Sequence, residues 1–220
     1  MPQFHDKPII IIGAGGHAQV LLDTLLCMGN SNILGFTDTN TQLWGRKLLD
    51  FPVLGDDEVL NNYSPEKILL VNGLGSIGSM SLRQKIFLQK KLSGYHFASI
   101  IHPSAIISSF VGLGEGVQIL AGAVVQTNCD IAENVIVNTR AVLDHNCIIA
   151  AHSHIAPNAV LSGGVQLGIG VHVGTGACVI QGITVGCESI IGAGAVVISN
   201  VSAKTKVIGI PAREYKKTCL

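Results

Sequence analysis

Residues 143–161 read Leu143-Asp144-His145-Asn146-Cys147-Ile148-Ile149-Ala150-Ala151-His152-Ser153-His154-Ile155-Ala156-Pro157-Asn158-Ala159-Val160-Leu161. An aliphatic residue returns at every sixth position, as Leu143, Ile149, Ile155 and Leu161. A small residue follows each by four, as Cys147, Ser153 and Ala159. The same rhythm extends back through Val137, Ile131, Val125, Ile119, Leu113 and Ile107 to Ile101. It extends forward through Leu167, Val173, Val179, Val185 and Ile191 to Val197. A period of six fits neither an α-helix nor a plain half-buried strand. It fits a chain that turns a corner every six residues, with three short faces to a coil. The large aliphatic points inward from each face and the small residue closes the corner beside it. Each buried Ile, Leu or Val in such a stack contributes ~1.5–3 kcal/mol. Gly112, Gly114, Gly168, Gly174, Gly186 and Gly192 are expected to supply the backbone freedom of the corners. The pattern therefore predicts a three-sided parallel β-helix. It does not give the handedness, and the general crossover rule favours a right-handed coil.

Residues 1–100 read differently. A strand at Lys7–Ile12 meets Gly13-Ala14-Gly15-Gly16-His17-Ala18, and a helical stretch follows from Ala18 to Cys27, ending near Gly29. A second strand, Ile33–Thr37, ends at Asp38, and a third, Lys67–Asn72, leads into Gly73-Leu74-Gly75. A further helix is expected from about Ser81 to Leu92, with Gly94 past its end. Alternating β and α implies a small, parallel, Rossmann-like sheet. A glycine turn between strand and helix brings backbone N–H groups to the helix start, where a phosphate can sit. Asp38, at the end of the second strand, is placed to bond a ribose hydroxyl or a base edge. Read alone, the turn is equally a tight packing turn, and His17 equally a plain helix-start side chain. About 100 residues hold one mononucleotide-binding half, where the full dinucleotide fold needs two. His102-Pro103 marks the passage into the repeat, giving domains of residues 1–102 and 103–220.

Composition narrows the function classes. The 14 basic and 14 acidic side chains cancel, so no bulk field draws the chain to nucleic acid or anionic lipid. Mean hydropathy is high at +0.48, yet no run approaches the ~20 apolar residues of a membrane span. The longest early run, Ile9–Ile12, is halted by Gly13 and preceded by Asp6 and Lys7, so no secretory signal is read there. The chain is expected to be cytoplasmic. Its six cysteines form no CxxC pair or finger spacing and read as small apolar fillers.

The hexad, as in Ile191-Gly192-Ala193-Gly194-Ala195-Val196, resembles the hexapeptide-repeat acyltransferases. That resemblance implies a left-handed, trimeric β-helix. With the Gly13–Ala18 turn in front, nearly the whole chain resembles one subfamily. Its members acetylate the 4-amino group of nucleotide-linked sugars of the bacillosamine or perosamine type, and some relatives are sialic acid O-acetyltransferases. The resemblance implies acetyl-CoA as co-substrate, no metal and a homotrimer. It further implies a front module that grips the nucleotide-linked amino sugar through Gly15, Gly16, His17 and Asp38, and less directly through Asn72 and Gly73. The subfamily often carries a second acid after Asp38; here Thr39 stands there, which leaves the recognised base open.

Acetyl transfer from a thioester to an amine needs a base, an oxyanion donor and a groove for the pantetheine arm. His145 is the third residue of its hexad, a corner position facing outward, and is the candidate base. One coil on stands Gly163, which leaves room for the thioester and offers a backbone N–H. Both agree with the family's histidine motif. The resemblance also places His154, Thr175 and Ala193 along the coenzyme groove between subunits. Arg213, with Lys216 and Lys217, either meets coenzyme phosphates or is plain solvated charge. The family generally has Glu or Asp directly after the histidine, and here it is Asn146. Asn accepts an imidazole N–H without bringing charge. Whether Asn146 or Asp144 orients His145 stays open at this level.

Three rival readings follow from the same residues. O-acetylation of a sugar hydroxyl is the nearest. A zinc hydratase of the same fold would use three histidines across a subunit interface, and His145, His152, His154 and His172 offer enough imidazoles. A non-catalytic trimeric scaffold with a nucleotide-sensing front module is the third.

Overall fold

The computed structural model describes residues 7–75 and 80–215. The chain divides into a unit of residues 1–103 and a unit of residues 104–220.

In the first unit β1 (Ile9–Ile12) leads into α1 (Gly16–Cys27), then β2 (Ile33–Thr37), β3 (Lys47–Leu48), β4 (Phe51–Gly55), β5 (Leu69–Asn72) and α2 (Met80–Leu92). The sheet order is β3-β4-β2-β1-β5, parallel except for β3 on the outer edge. Four isoleucines make β1 buried throughout, as suits a central parallel strand. Helix α1 buries Ala18, Leu21, Leu22 and Leu25, spaced to form one face. One core cluster gathers Ile10, Ile12, Leu70, Phe87 and Phe97, with the two phenylalanine rings 4.4 Å apart. The β3–β4 hairpin is absent from the sequence reading. Its turn holds Leu49 at φ 48° and Asp50 at φ 70°. Both central residues are thus left-handed, a conformation usually announced by Asn-Gly, and Leu-Asp carries no such signal.

In the second unit sixteen two-residue strands run from Ile106–Ile107 to Val196–Val197. Partners lie eighteen residues apart, as in Val124↔Val142, Asp130↔Ile148 and Ile136↔His154. Three parallel sheets result, and they form a left-handed parallel β-helix. The sheet holding Val142–Leu143 is here called face 1, that holding Ile148–Ile149 face 2, and that holding His154–Ile155 face 3. From Ile119 to Val197 every sixth aliphatic is buried, and so is every residue four later, from Val117 to Val201.

The corner glycines require a correction. The left-handed backbone falls on the fourth residue of each hexad, at fourteen successive corners from Gly116 to Gly194 with φ of 54–70°. Gly114, Gly168, Gly174, Gly186 and Gly192 are at the second position and Gly112 at the sixth, and none of them is left-handed. Their role is close approach. A Cβ on Gly168 would stand 2.6 Å from the Cys187 nitrogen, and one on Gly174 2.6 Å from the Ala193 nitrogen. The cysteine reading holds for Cys129 and Cys147, which are buried, and fails for Cys27, Cys178 and Cys187, which are exposed. Among the described residues no helix is long and apolar enough to cross a membrane.

Candidate functional site

His145 and Gly163 share one edge of the β-helix, on the corner between faces 1 and 2. From Asn134 to Gly194 the fourth residue's N–H bonds the preceding coil, as Gly164 N–H does to the His145 carbonyl at 2.8 Å. The third residue's N–H stands outside that ladder. The Gly163 N–H meets no acceptor among the described residues, so it is open to an incoming oxygen.

The two candidate partners of His145 separate cleanly. Asp144 Oδ1 accepts the backbone N–H of His145 at 2.8 Å. Asn146 Oδ1 lies 2.9 Å from His145 Nδ1. Asn146 sits at the left-handed corner position with φ 60°, a conformation that asparagine tolerates better than most residues. It therefore both turns the corner and orients the ring. With Nδ1–H donating to Asn146, the lone pair of the imidazole is on Nε2. A Cβ at Gly163 would stand 2.6 Å from that Nε2, so only glycine leaves the ring its place. Cys147, two residues on, is no nucleophile: burial pushes its thiol up to about 12.

The charge missing at Asn146 has a measurable consequence. Asn146→Asp sets a carboxylate against His145 Nδ1–H and favours the protonated ring. A general base works only when unprotonated, so the acidic limb of the pH–rate profile should move to higher pH. A limb that shifts with Asp144→Asn and not with Asn146→Asp would reverse the assignment of the partner.

The residues expected along the coenzyme groove stand elsewhere in the same chain. Thr175 and Ala193 occupy the corner between faces 3 and 1, one coil apart, and His154 lies on face 3 just before that edge. His154 is buried, with its Nε2 3.0 Å from Asn138 Nδ2. Asn138 Oδ1 accepts the Thr139 N–H at 2.7 Å, which fixes the amide and makes His154 Nε2 an acceptor. The His154 ring meets His172 edge to face at 5.1 Å. Burial lowers the His172 pKa, and its buried Nδ1 has no hydrogen-bond partner among the described residues. His152 is buried at a left-handed corner, with Nδ1 2.9 Å from Asn134 Nδ2. The four histidines weighed for zinc thus do not converge in one chain, and among the described residues no group of three His, Cys, Asp or Glu side chains is arranged for a metal. Arg213 lines a cavity of about 560 Å³ with Asn200, Ser202 and Thr205, and its Nη1 donates to the Ala212 carbonyl at 2.9 Å. Lys216 and Lys217 lie outside the described residues.

The first unit has its own candidate site, at the carboxyl ends of its strands. Gly15 caps α1 with no side chain, and a Cβ at Gly15 or Gly16 would meet nothing within 4 Å. The helix start is therefore open, as a phosphate site requires. His17 follows within the first turn of α1. Asp38 latches two loops: Oδ2 accepts the Ala14 N–H at 2.8 Å and Oδ1 the Asn40 N–H at 2.8 Å. Asn72 is buried, and its amide donates to the Arg83 carbonyl at 3.0 Å, a tie between β5 and α2. Gly73 is a packing glycine, since a Cβ there would stand 2.8 Å from the Ala18 Cβ. The close helix–strand approach usually left to a third fingerprint glycine is made here by Gly73, and Ala18 is tolerated.

A mononucleotide-type α/β unit and a hexapeptide β-helix with a histidine beside a glycine on one edge define an acyltransferase of the hexapeptide class. The comparisons narrow that class. Residues 8–90 match the PglD N-terminal domain family. The chain is 34% identical over 117 residues to the UDP-N-acetylbacillosamine N-acetyltransferase of Bacillus subtilis (strain 168), a match that spans 52% of each protein. The chain thus spans about half the length of that curated relative. Among solved structures it is similar to a histidine-to-asparagine variant of perosamine N-acetyltransferase from Caulobacter crescentus in complex with CoA and GDP-perosamine. That likeness has a TM-score of 0.89 at 35% identity and covers 96% of this chain and 98% of that one. The acetyltransferase domain of PglB from Neisseria gonorrhoeae FA1090 matches equally, with a TM-score of 0.89, 35% identity and 96% and 100% coverage. The chain belongs to the hexapeptide-repeat sugar N-acetyltransferase family.

Proposed function

We propose that this chain transfers acetyl from acetyl-CoA to the 4-amino group of a nucleotide-linked sugar in the cytoplasm. The observation that carries the reading is the edge at His145, where an oriented imidazole keeps Nε2 free beside the open Gly163 N–H. In the reaction the sugar amine attacks the thioester carbonyl and gives its proton to His145 Nε2. The negative charge that develops on the carbonyl oxygen is received by the Gly163 N–H. The intermediate collapses with cleavage of the C–S bond, and coenzyme A leaves as the thiol, taking a proton. Cys147 is buried with its thiol pushed up to about 12, so it is not the group that takes the acetyl, and the proposed transfer is direct. The first unit holds the nucleotide, with the diphosphate at Gly15 and Gly16 and Asp38 keeping the turn in place. An amide product survives alkaline hydroxylamine and an ester does not. Retention of the acetyl group after that treatment is expected; its loss would favour the O-acetyl reading.

The assembly we propose is a homotrimer. Its support is that His145 and Gly163 stand on one edge of face 1, and Thr175 and Ala193 on the other. A cyclic assembly sets different surfaces of neighbouring copies against each other, so one copy's base can meet the next copy's coenzyme groove. Along face 1 the outward positions are Ile106, Val124, Val142, Val160, Cys178 and Val196, all apolar and none of them buried. Face 2 is mixed, with Gly112, Asp130, Ile148, Gln166 and Thr184 at the same positions. Val142→Lys should therefore break the trimer in light scattering and abolish turnover. A wild-type monomer with full activity would contradict the assembly.

A further inference from the structure

Beside the phosphate turn the first unit holds a cavity of about 360 Å³ whose residues the family motif does not include. It is lined by Trp44, Leu54, Gly55, Asp56, Glu58 and Asn62. We propose that this cavity is the base subsite of the nucleotide, that Trp44 is its stacking platform, and that its acidic rim selects guanine over pyrimidines. The inference rests on the reading of the first unit as the nucleotide site.

Position is the first argument. The diphosphate belongs at the start of α1, after β1, and the cavity lies past the carboxyl end of β4, two strands along the sheet, or ~10 Å. A nucleotide lying along the carboxyl edge of a parallel sheet spans that interval. One residue ties the two ends together. Asp38 holds Ala14 of the phosphate turn, and its backbone carbonyl accepts the Trp44 Nε1–H at 2.8 Å.

The second argument is the indole itself. Its polar edge is tied down, the residue stays 42% exposed, and it lines the cavity. A tethered, partly exposed indole lining a cavity is suited to a flat ring.

The third is the chemistry of the rim. Asp56 Oδ1 accepts the Glu58 N–H at 3.0 Å, and the Glu58 side chain is exposed. Two carboxylates repel a phosphate and call for a neutral edge rich in N–H donors. Guanine presents its ring N–H beside an exocyclic amino group, which together match one carboxylate. Uracil and thymine present a single N–H between two carbonyl oxygens, which the carboxylates repel.

Trp44 is the only tryptophan of the chain, so its emission reports on this cavity alone. The full chain is titrated with GDP, UDP and dTDP, following tryptophan emission and heat of binding in parallel. GDP is expected to quench Trp44 and to bind about tenfold tighter than either pyrimidine nucleotide. Trp44→Ala should weaken GDP by about 5- to 150-fold, while Trp44→Phe, which keeps a ring, retains most of the affinity. Glu58→Gln should narrow the preference for GDP. The subsite is overturned if GDP binds by heat with Trp44 emission unchanged, if Trp44→Ala binds it as the wild type does, or if UDP or dTDP binds as tightly. In each of those cases the nucleotide reading of the first unit survives. Absence of binding by all three overturns both.

Discussion

Replacing His145 with alanine should lower kcat by about 10²–10⁴, the usual worth of a positioned general base. Acetyl-CoA affinity should change little. The expected groove residues Thr175 and Ala193 stand on another edge of the coil, so removing the imidazole leaves them intact. The fold should also hold, because the His145 side chain is exposed and its neighbours Leu143 and Cys147 supply the buried positions of that hexad. Steady-state kinetics with a separate coenzyme titration give the split. A variant that keeps nearly full kcat would show that the base is elsewhere, and a parallel loss of coenzyme affinity would make His145 a groove residue.

The second large effect is expected at Gly163, and its neighbour supplies the control. Gly163→Ala places a Cβ 2.6 Å from His145 Nε2, so the ring must move off its position. Misplacing a catalytic group by about 1 Å costs on the order of 10² in rate, and that is the loss expected in kcat. Gly164 presents the opposite case. It has φ 69° and open space around a new Cβ, so Gly164→Ala strains the backbone by about 1–2 kcal/mol without touching the ring. Thermal unfolding should therefore register Gly164→Ala more than Gly163→Ala, and turnover the reverse. If both variants lose activity in proportion to stability, the steric account of Gly163 is wrong.

Much of this molecule is legible in its sequence because a coil repeats its constraints. Ile155 is large and aliphatic for the same reason as Val137 and Val173 above and below it, so seventeen hexads carry one message. The corner conformation was legible too, and was missed. Glycine and asparagine recur at the fourth hexad position, from Gly116 through Asn134 and Asn158 to Gly182. The second-position glycines of the hexad are a separate signal and serve coil-to-coil approach. Arg140, His152 and Glu188 show that the corner tolerates other residues, which weakens the signal.

The sites divide in the same way. His145 stood out because an outward corner histidine has no packing role. Its partner could not be chosen, because adjacent residues in an extended segment point differently and only coordinates place Asp144 on a backbone N–H. Asn72 shows the converse. The family resemblance implies a ligand role for it, and the structure adds a bond from its side-chain amide to the Arg83 carbonyl, a partner eleven residues away that no local pattern announces. Trp44 was passed over because it follows no motif. Its place depends on a hairpin whose Leu49-Asp50 turn is silent in sequence.

The central claim is that acetyl passes from coenzyme A to a sugar amine through the edge at His145. The most direct measurement is coenzyme A thiol release with a matched pair of nucleotide-linked sugars differing only at C4, one bearing an amine and the other a hydroxyl. The account predicts release with the amine, little with the hydroxyl, and collapse of the amine-dependent rate in His145→Ala. Equal release from both sugars, or an amine-dependent rate that His145→Ala leaves intact, would contradict it.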